Sequence, residues 1–150
     1  MTFARLVASG FGSGFLPGAP GTAGALLGLM LGVPLLLAPP GVLGAAALVV
    51  SLLGLWAIRA ARVDGDPGWV VIDEIAGQWV ALIGLARPTV VGVAAAFALF
   101  RLFDIVKPGP VGWADRKGGA AGIMADDLIA GAIASGILWA VRQHWPGAFG

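Results

Sequence analysis

The chain is 150 residues long, the length of one domain, with 59% hydrophobic residues, 11% charged residues and a mean hydropathy of +0.94. Ordinary soluble chains are about 25% charged, and the stretch from Leu6 to Ile58 holds no Asp, Glu, Lys or Arg at all, which excludes a soluble globular domain. A net charge of +1 with no basic cluster among aromatics gives no sign of a nucleic-acid partner, and the absence of cysteine excludes disulfides, thiolate metal sites and a cysteine nucleophile.

These limits point to an all-α integral membrane bundle of about five short helices, with four spans as the alternative. The chain opens on Arg5 and a Pro/Gly-rich loop, GFGSGFLPGAPGTAG, over residues 10–24. Arg5 could begin a signal peptide, but the glycine-rich stretch and a second apolar run favour a retained span. Backbone N–H groups in such a bend can bind an anion, and Ser13 and Thr22 add hydroxyls. The plain structural alternative is a helix-entry loop with Thr22 as N-cap. A nucleotide-binding GxxxxGK[ST] loop is excluded, because the stretch has no lysine.

Ala23–Ala38 is the first predicted span, closed by Pro39-Pro40-Gly41, and Gly41–Ile58 returns with Trp56 and Arg59 as interface anchors. At 1.5 Å per residue they reach ~24 and ~27 Å, short for a hydrocarbon core about 30 Å thick but workable. Residues 69–106 read either as one span or as two helices, Trp69–Leu85 and Pro88–Val106, turning at Ala86-Arg87-Pro88. One span would strand Arg87 in lipid, which is expensive. The hairpin places Arg5, Arg59, Arg62, Arg101, Lys107, Arg116 and Lys117 on one side, against Arg87 and Arg142 on the other. That asymmetry fits the positive-inside rule, so the hairpin is preferred and the seven-charge face is expected in the cytoplasm. Leu128–Val141 is the last predicted span.

Every acidic residue then falls on the same face as the opening loop. In DPGWVVIDEIAGQW, residues 66–79, Asp73 and Glu74 stand together where an apolar helix begins, with Gln78 one turn on from Glu74. First-turn acids complement a helix dipole, but two adjacent carboxylates at lipid depth are costly unless paired or metal-bound. In FRLFDIVKPGP, residues 100–110, Arg101, Asp104 and Lys107 recur at three-residue spacing and share one helix face. They read either as an ion-pair ladder or as an anion clamp around a metal ligand, base or nucleophile. In ADRKGGAAGIMADDLIAG, residues 114–131, the pair Asp126-Asp127 stands at the mouth of the last helix beside Arg116 and Lys117. Asp126 could simply cap that helix. Carboxylates converging with cations suit Mg²⁺ together with phosphate oxygens. The single histidine, His144, falls on the opposite face. What remains is metal-assisted attack by water, or a carboxylate nucleophile.

Four segments, GFGSGFLPGAPGTAG, DPGWVVIDEIAGQWVAL, FRLFDIVKPGPVGWAD and GGAAGIMADDLIAG, together resemble the phosphatidylglycerophosphatase A family of bacterial membrane phosphatases, in that family's order across residues 9–133. Gly18 departs from the pattern, where a bulkier residue usually precedes the APGT stretch; this bears on the entrance and not on the acids. The resemblance implies a Mg²⁺-dependent hydrolase of the bacterial inner membrane, multi-pass, with its site facing the cytoplasm. Its implied substrate is the anionic phospholipid phosphatidylglycerophosphate, converted to phosphatidylglycerol and inorganic phosphate. Carried onto this chain, Asp73, Glu74, Asp126 and Asp127 are expected to hold Mg²⁺. Arg101, Lys107 and Arg116 would clamp the phosphate, with Ser13 and Thr22 in the headgroup wall. Asp104 would activate water or act as nucleophile, with Glu74 and Asp127 also in the catalytic group. The rival class is a small carrier or channel with an acidic cation or proton site, but the opposite half of the bilayer offers almost no charge for a through-path. A CDP-alcohol phosphotransferase would space its acids as DGxxAR…GxxxDxxxD, whereas here they come as adjacent pairs. A purely structural subunit would have little use for eight acids on one face.

Overall fold

The computed structural model describes residues 1–149, and every regular element among them is helical. They are α1 (Phe3–Ala8), a 3-10 turn (Ser13–Phe15), α2 (Pro20–Leu36), α3 (Val42–Ala60), α4 (Ile72–Leu82), α5 (Val90–Val106), α6 (Pro110–Asp115) and α7 (Gly119–His144). Helices α3 and α7 are long and apolar enough to cross a membrane, and α2 is a shorter apolar helix. Just 28% of the apolar stretch of α3 is buried inside the bundle, leaving Leu48, Val49, Leu52 and Leu53 facing outward. A contiguous aliphatic surface of this kind is at home in lipid.

The centre of the bundle is α4, which packs against α2, α3, α5 and α7. Helices in lipid gain nothing from moving Leu out of lipid, so they associate by close van der Waals approach at small residues. Two glycine seams provide it. Along α2, a Cβ on Gly28 would stand 3.1 Å from the Gln78 Cβ, and one on Gly32 would stand 2.7 Å from the Trp79 ring. The Trp79 indole N–H donates to the Gly28 carbonyl at 2.7 Å across this seam. Between α4 and α7, a Cβ on Gly131 would lie 2.2 Å from the Gly77 carbonyl oxygen. Gly131→Ala should therefore force α4 and α7 apart and lower the melting temperature in detergent by the equivalent of ~1–3 kcal/mol, the usual range for overpacking. An unchanged melting curve would show that the seam is slack.

The middle segment is a hairpin, as the charge argument preferred. Gly77 meets Phe100 while Gly92 meets Leu85, so α4 and α5 run antiparallel. Arg87 sits in the turn, and the Thr89 hydroxyl caps α5 by accepting from Gly92 N–H at 3.1 Å. The first helices of the hairpin and of the bundle are set differently from expectation. Ala19 and not Thr22 is the N-cap of α2, with Pro20 at its first position, where a missing N–H costs nothing. Helix α4 starts later than Trp69, because Val71 is held out of helical geometry while its N–H donates to the Ala8 carbonyl at 3.0 Å. It ends at Leu82, after which Gly84 and Leu85 N–H donate to the carbonyls three residues back. Helix α7 begins nine residues before Leu128, since Gly122, Ile123 and Met124 are already buried. Asp126 and Asp127 consequently lie in its third turn, and neither caps it.

Candidate active site

The chain direction places the starts of α2, α4 and α7 at one end of the bundle with the finish of α5. The carboxylates gather there. Asp73 and Glu74 occupy the first turn of α4, where acids meet the positive end of the helix dipole. Dipole matching alone would be satisfied by exposed side chains. Here Asp73 is 6% exposed, and Asp73 Oδ1 and Glu74 Oε2 are buried without any hydrogen-bond partner. Asp127, on the facing side of α7, is 3% exposed, and its Oδ2 is likewise unpartnered. Asp73, Glu74 and Asp127 each bring one oxygen to within 4.8 Å of the others. Asp104, from the last turns of α5, lies within hydrogen-bonding reach of Asp127.

One cation borders this trio and a second lies beyond it. Arg101 pairs through Nη1 with Asp104 Oδ2, one turn along the same helix. Its guanidinium also borders Gly21 at the start of α2: a Cβ there would stand 3.4 Å from both Arg101 Nη atoms and 2.5 Å from Glu74 Oε1. A side chain at this position would push the Glu74 carboxylate aside, and α2 forms a wall of the site at that point. Lys107, the second cation, leaves the α5 helix in the left-handed region (φ +50°), which costs a side-chained residue about 1–2 kcal/mol. That turn carries its ammonium to Asp126 Oδ2 at 2.6 Å and Asp115 Oδ1 at 2.5 Å. Desolvation pulls the Lys107 pKa down, but the hydrogen bonds to Asp115 and Asp126 win and hold it above the ordinary lysine value. Asp66, in the loop before α4, has its carboxyl raised by desolvation, opposed by Lys107 and reinforced by the Asp115 and Asp104 charges.

The sequence-predicted residues thus divide. Asp73, Glu74, Asp104, Asp127 and Arg101 come together. Asp126 turns away to Lys107, its Oδ1 accepting from Asp127 N–H at 3.0 Å. Arg116 is exposed and makes no ion pair with a described acid. Ser13 spends its hydroxyl proton on the Gly10 carbonyl at 2.9 Å, inside its own loop. Thr22 lies in the first turn of α2, beside Gly21. The loop itself is pinned, since a Cβ on Gly14 would stand 2.0 Å from the Trp69 carbonyl oxygen. Arg5 sits 4.8 Å from the Trp69 ring centroid and 5.8 Å from that of Phe15, and the two rings stack at 5.8 Å. The steric role of Gly21 and the Arg5 clamp were missed, because nothing local to either residue signals a partner some 50 to 80 positions away.

The family model described as Phosphatidylglycerophosphatase A matches residues 6–142, nearly the whole chain. The chain belongs to the phosphatidylglycerophosphatase A family. It is similar to Phosphatidylglycerophosphatase A of Escherichia coli, 37% identical over 146 residues, covering 95% of this chain and 85% of that protein. Phosphatidylglycerophosphatase A of Haemophilus influenzae is 38% identical over 150 residues, covering 94% and 89%. A Bacteroides thetaiotaomicron protein, whose given name proposes phosphatidylinositol-3-phosphatase activity, is 44% identical over 147 residues, covering 92% of each. No solved structure matches the chain.

A phosphatidylglycerophosphatase A chain is a lipid phosphatase, a hydrolase associated with the membrane. The geometry suits that chemistry. Three carboxylates so close together, each with a buried oxygen lacking a donor, cannot all stay charged without a cation among them. No lysine or arginine hydrogen-bonds any of the three unpartnered oxygens. An all-oxygen donor set with no histidine or cysteine fits a hard divalent cation. The cluster can hold a metal ion, with Arg101 and Asp104 at its edge.

Proposed function

We propose that this chain hydrolyses phosphatidylglycerophosphate to phosphatidylglycerol and inorganic phosphate at the cytoplasmic face of a bacterial inner membrane, with Mg²⁺ held by Asp73, Glu74 and Asp127. The observation that carries this reading is the trio Asp73, Glu74 and Asp127, which bring one oxygen each to within 4.8 Å of the others and each hold a buried carboxylate oxygen without a partner, bordered by Arg101. Mg²⁺ is favoured because it takes oxygen ligands and is completed by substrate phosphates. When bound, it supplies charge neutralisation at the phosphate and a more acidic water.

The chain's own groups do the rest. Arg101 exchanges Asp104 for the phosphate oxygens, holding the transferred group by two parallel N–H donors. Asp104, released from that pair, accepts a proton from the attacking water; the bond from phosphorus to the glycerol oxygen breaks, and that oxygen takes up a proton. The alternative is direct attack of Asp104 on phosphorus, which borohydride trapping of an aspartyl phosphate would reveal. The remaining cations lie outside this core. Lys107 keeps its positive charge near the site while braced by Asp115 and Asp126, and exposed Arg116 meets the headgroup at the rim. Gly21 and Thr22 supply the α2 wall. Phosphoryl transfer is mostly positioning and charge neutralisation, and these elements provide both.

Phosphate release in detergent tests the reading. Release from phosphatidylglycerophosphate should require Mg²⁺ and stop with chelator. Phosphatidylinositol 3-phosphate forms the second arm, given the Bacteroides relative, and faster release from it would move the substrate assignment. Metal-independent release would remove Mg²⁺ from the account, and no release from any lipid phosphate would return the carrier reading.

A further inference from the structure

Gln78 has no role in the site described so far, yet its environment is unusual. It is completely buried, and neither its amide oxygen nor its amide nitrogen has a hydrogen-bond partner. An unsatisfied buried amide is a cost that a membrane bundle avoids by placing Leu or Met at such a position. Packing does not require the amide: the part of Gln78 that meets α2 is its aliphatic stem, with Cβ and Cγ against Gly28. The head group must therefore serve something else.

Its placement says what. Gln78 follows Glu74 by four residues on α4, so the two share one helix face. Helical side chains lean toward the N-terminus of their helix, which directs the Gln78 amide back under the turn that carries Asp73 and Glu74. Its neighbour Gly77 is overlain by the backbone carbonyl of Asp127, where a Cβ would stand 2.6 Å away. Among the described residues, the side-chain atoms left buried without a partner are Asp73 Oδ1, Glu74 Oε2, Asp127 Oδ2 and the two Gln78 amide atoms. All belong to two turns of α4 and the facing turn of α7.

We propose that Gln78 is a positioning residue of the metal site, forming its floor on the membrane side. With a cation bound, its N–H would donate to a carboxylate oxygen of the trio and its carbonyl would accept from a water that the cation holds. Bound Mg²⁺ usually keeps several waters, whose O–H groups need acceptors, and the carboxylates alone leave the inner side without a neutral one. Gln78 thereby orients the carboxylates without touching the phosphate. This inference rests on the divalent-cation reading above.

Gln78→Met keeps the length and removes both hydrogen-bonding atoms. Mg²⁺ binding to the purified protein, followed by calorimetry, should weaken about 10- to 100-fold, as for other groups that support metal ligands. The metal-free protein should melt at the same temperature or higher, and raised Mg²⁺ should restore most turnover. Gln78→Asn, which keeps the amide one methylene short, should fall between the two and serves if the Met variant does not fold. Wild-type Mg²⁺ affinity in either folded variant would overturn the role of Gln78 while leaving the trio intact. A lower melting temperature with unaltered affinity would show a packing residue and overturn it equally. No Mg²⁺ binding by the unaltered protein would instead overturn the metal reading itself.

Discussion

Asp127→Asn should cut phosphate release by about 10³-fold or more while the bundle stays folded. Asn has nearly the same shape, and Asp127 Oδ2 makes no hydrogen bond that the change would break. What is lost is a negative charge where three carboxylates converge, so the metal-free protein should become no less stable. Asp104→Asn should be comparably inactive, since removal of a proton-transfer group costs ~10²–10⁴-fold, and a lost nucleophile costs at least as much. The two variants differ in one respect. The Asp127 change should also weaken Mg²⁺ binding, whereas the Asp104 change should leave it close to normal, because Asp104 stands outside the trio. Phosphate release near the wild-type rate in both variants would remove these residues from the mechanism.

The difference between Asp126 and Asp127 marks where sequence reasoning stops. Both were legible as acids at depth beside a glycine-rich turn, and the hairpin topology chosen by charge asymmetry placed them on the same face as Asp73 and Glu74. Adjacent helical residues point about 100° apart, and the packing of α7 turns Asp127 toward Asp73 and Glu74 on α4 while Asp126 meets Lys107. Gly77 and Gly131 settle that by drawing the helices into contact, with the Asp127 backbone over Gly77. A glycine in sequence looks the same whether it frees a loop or admits a neighbour. Gly21 read as part of a flexible anion-binding bend, and its part is steric, under Glu74 and Arg101. The hairpin was readable because Arg87-Pro88 carries its own penalty in lipid. The early start of α7 was not, since Gly118, Gly119 and the acids at 126–127 are poor helix formers, and burial of Ile123 and Met124 overrides that weakness.

The second large effect is expected at Lys107. Its ammonium bridges Asp115 and Asp126, joining the end of α5, the short α6 and α7. The Asp126 side chain is only 4% exposed, whereas that of Asp115 is 38% exposed and can turn to solvent. Lys107→Met would therefore leave one carboxylate buried and unpaired. Breaking a buried pair from one side costs ~3–5 kcal/mol, and because Lys107 itself is partly exposed the lower end is expected. The loss should appear as a much lower melting temperature in detergent, with phosphate release falling in step as Asp126 pulls on the neighbouring Asp127. The cost belongs to the orphaned charge more than to the lost contact, and a second substitution shows this. Asp126→Asn in the Lys107→Met background removes that charge and should recover most of the lost stability, even though the bridge is still absent. A double variant as unstable as Lys107→Met would place the cost elsewhere, in the aliphatic stem of Lys107 and the left-handed turn that carries it.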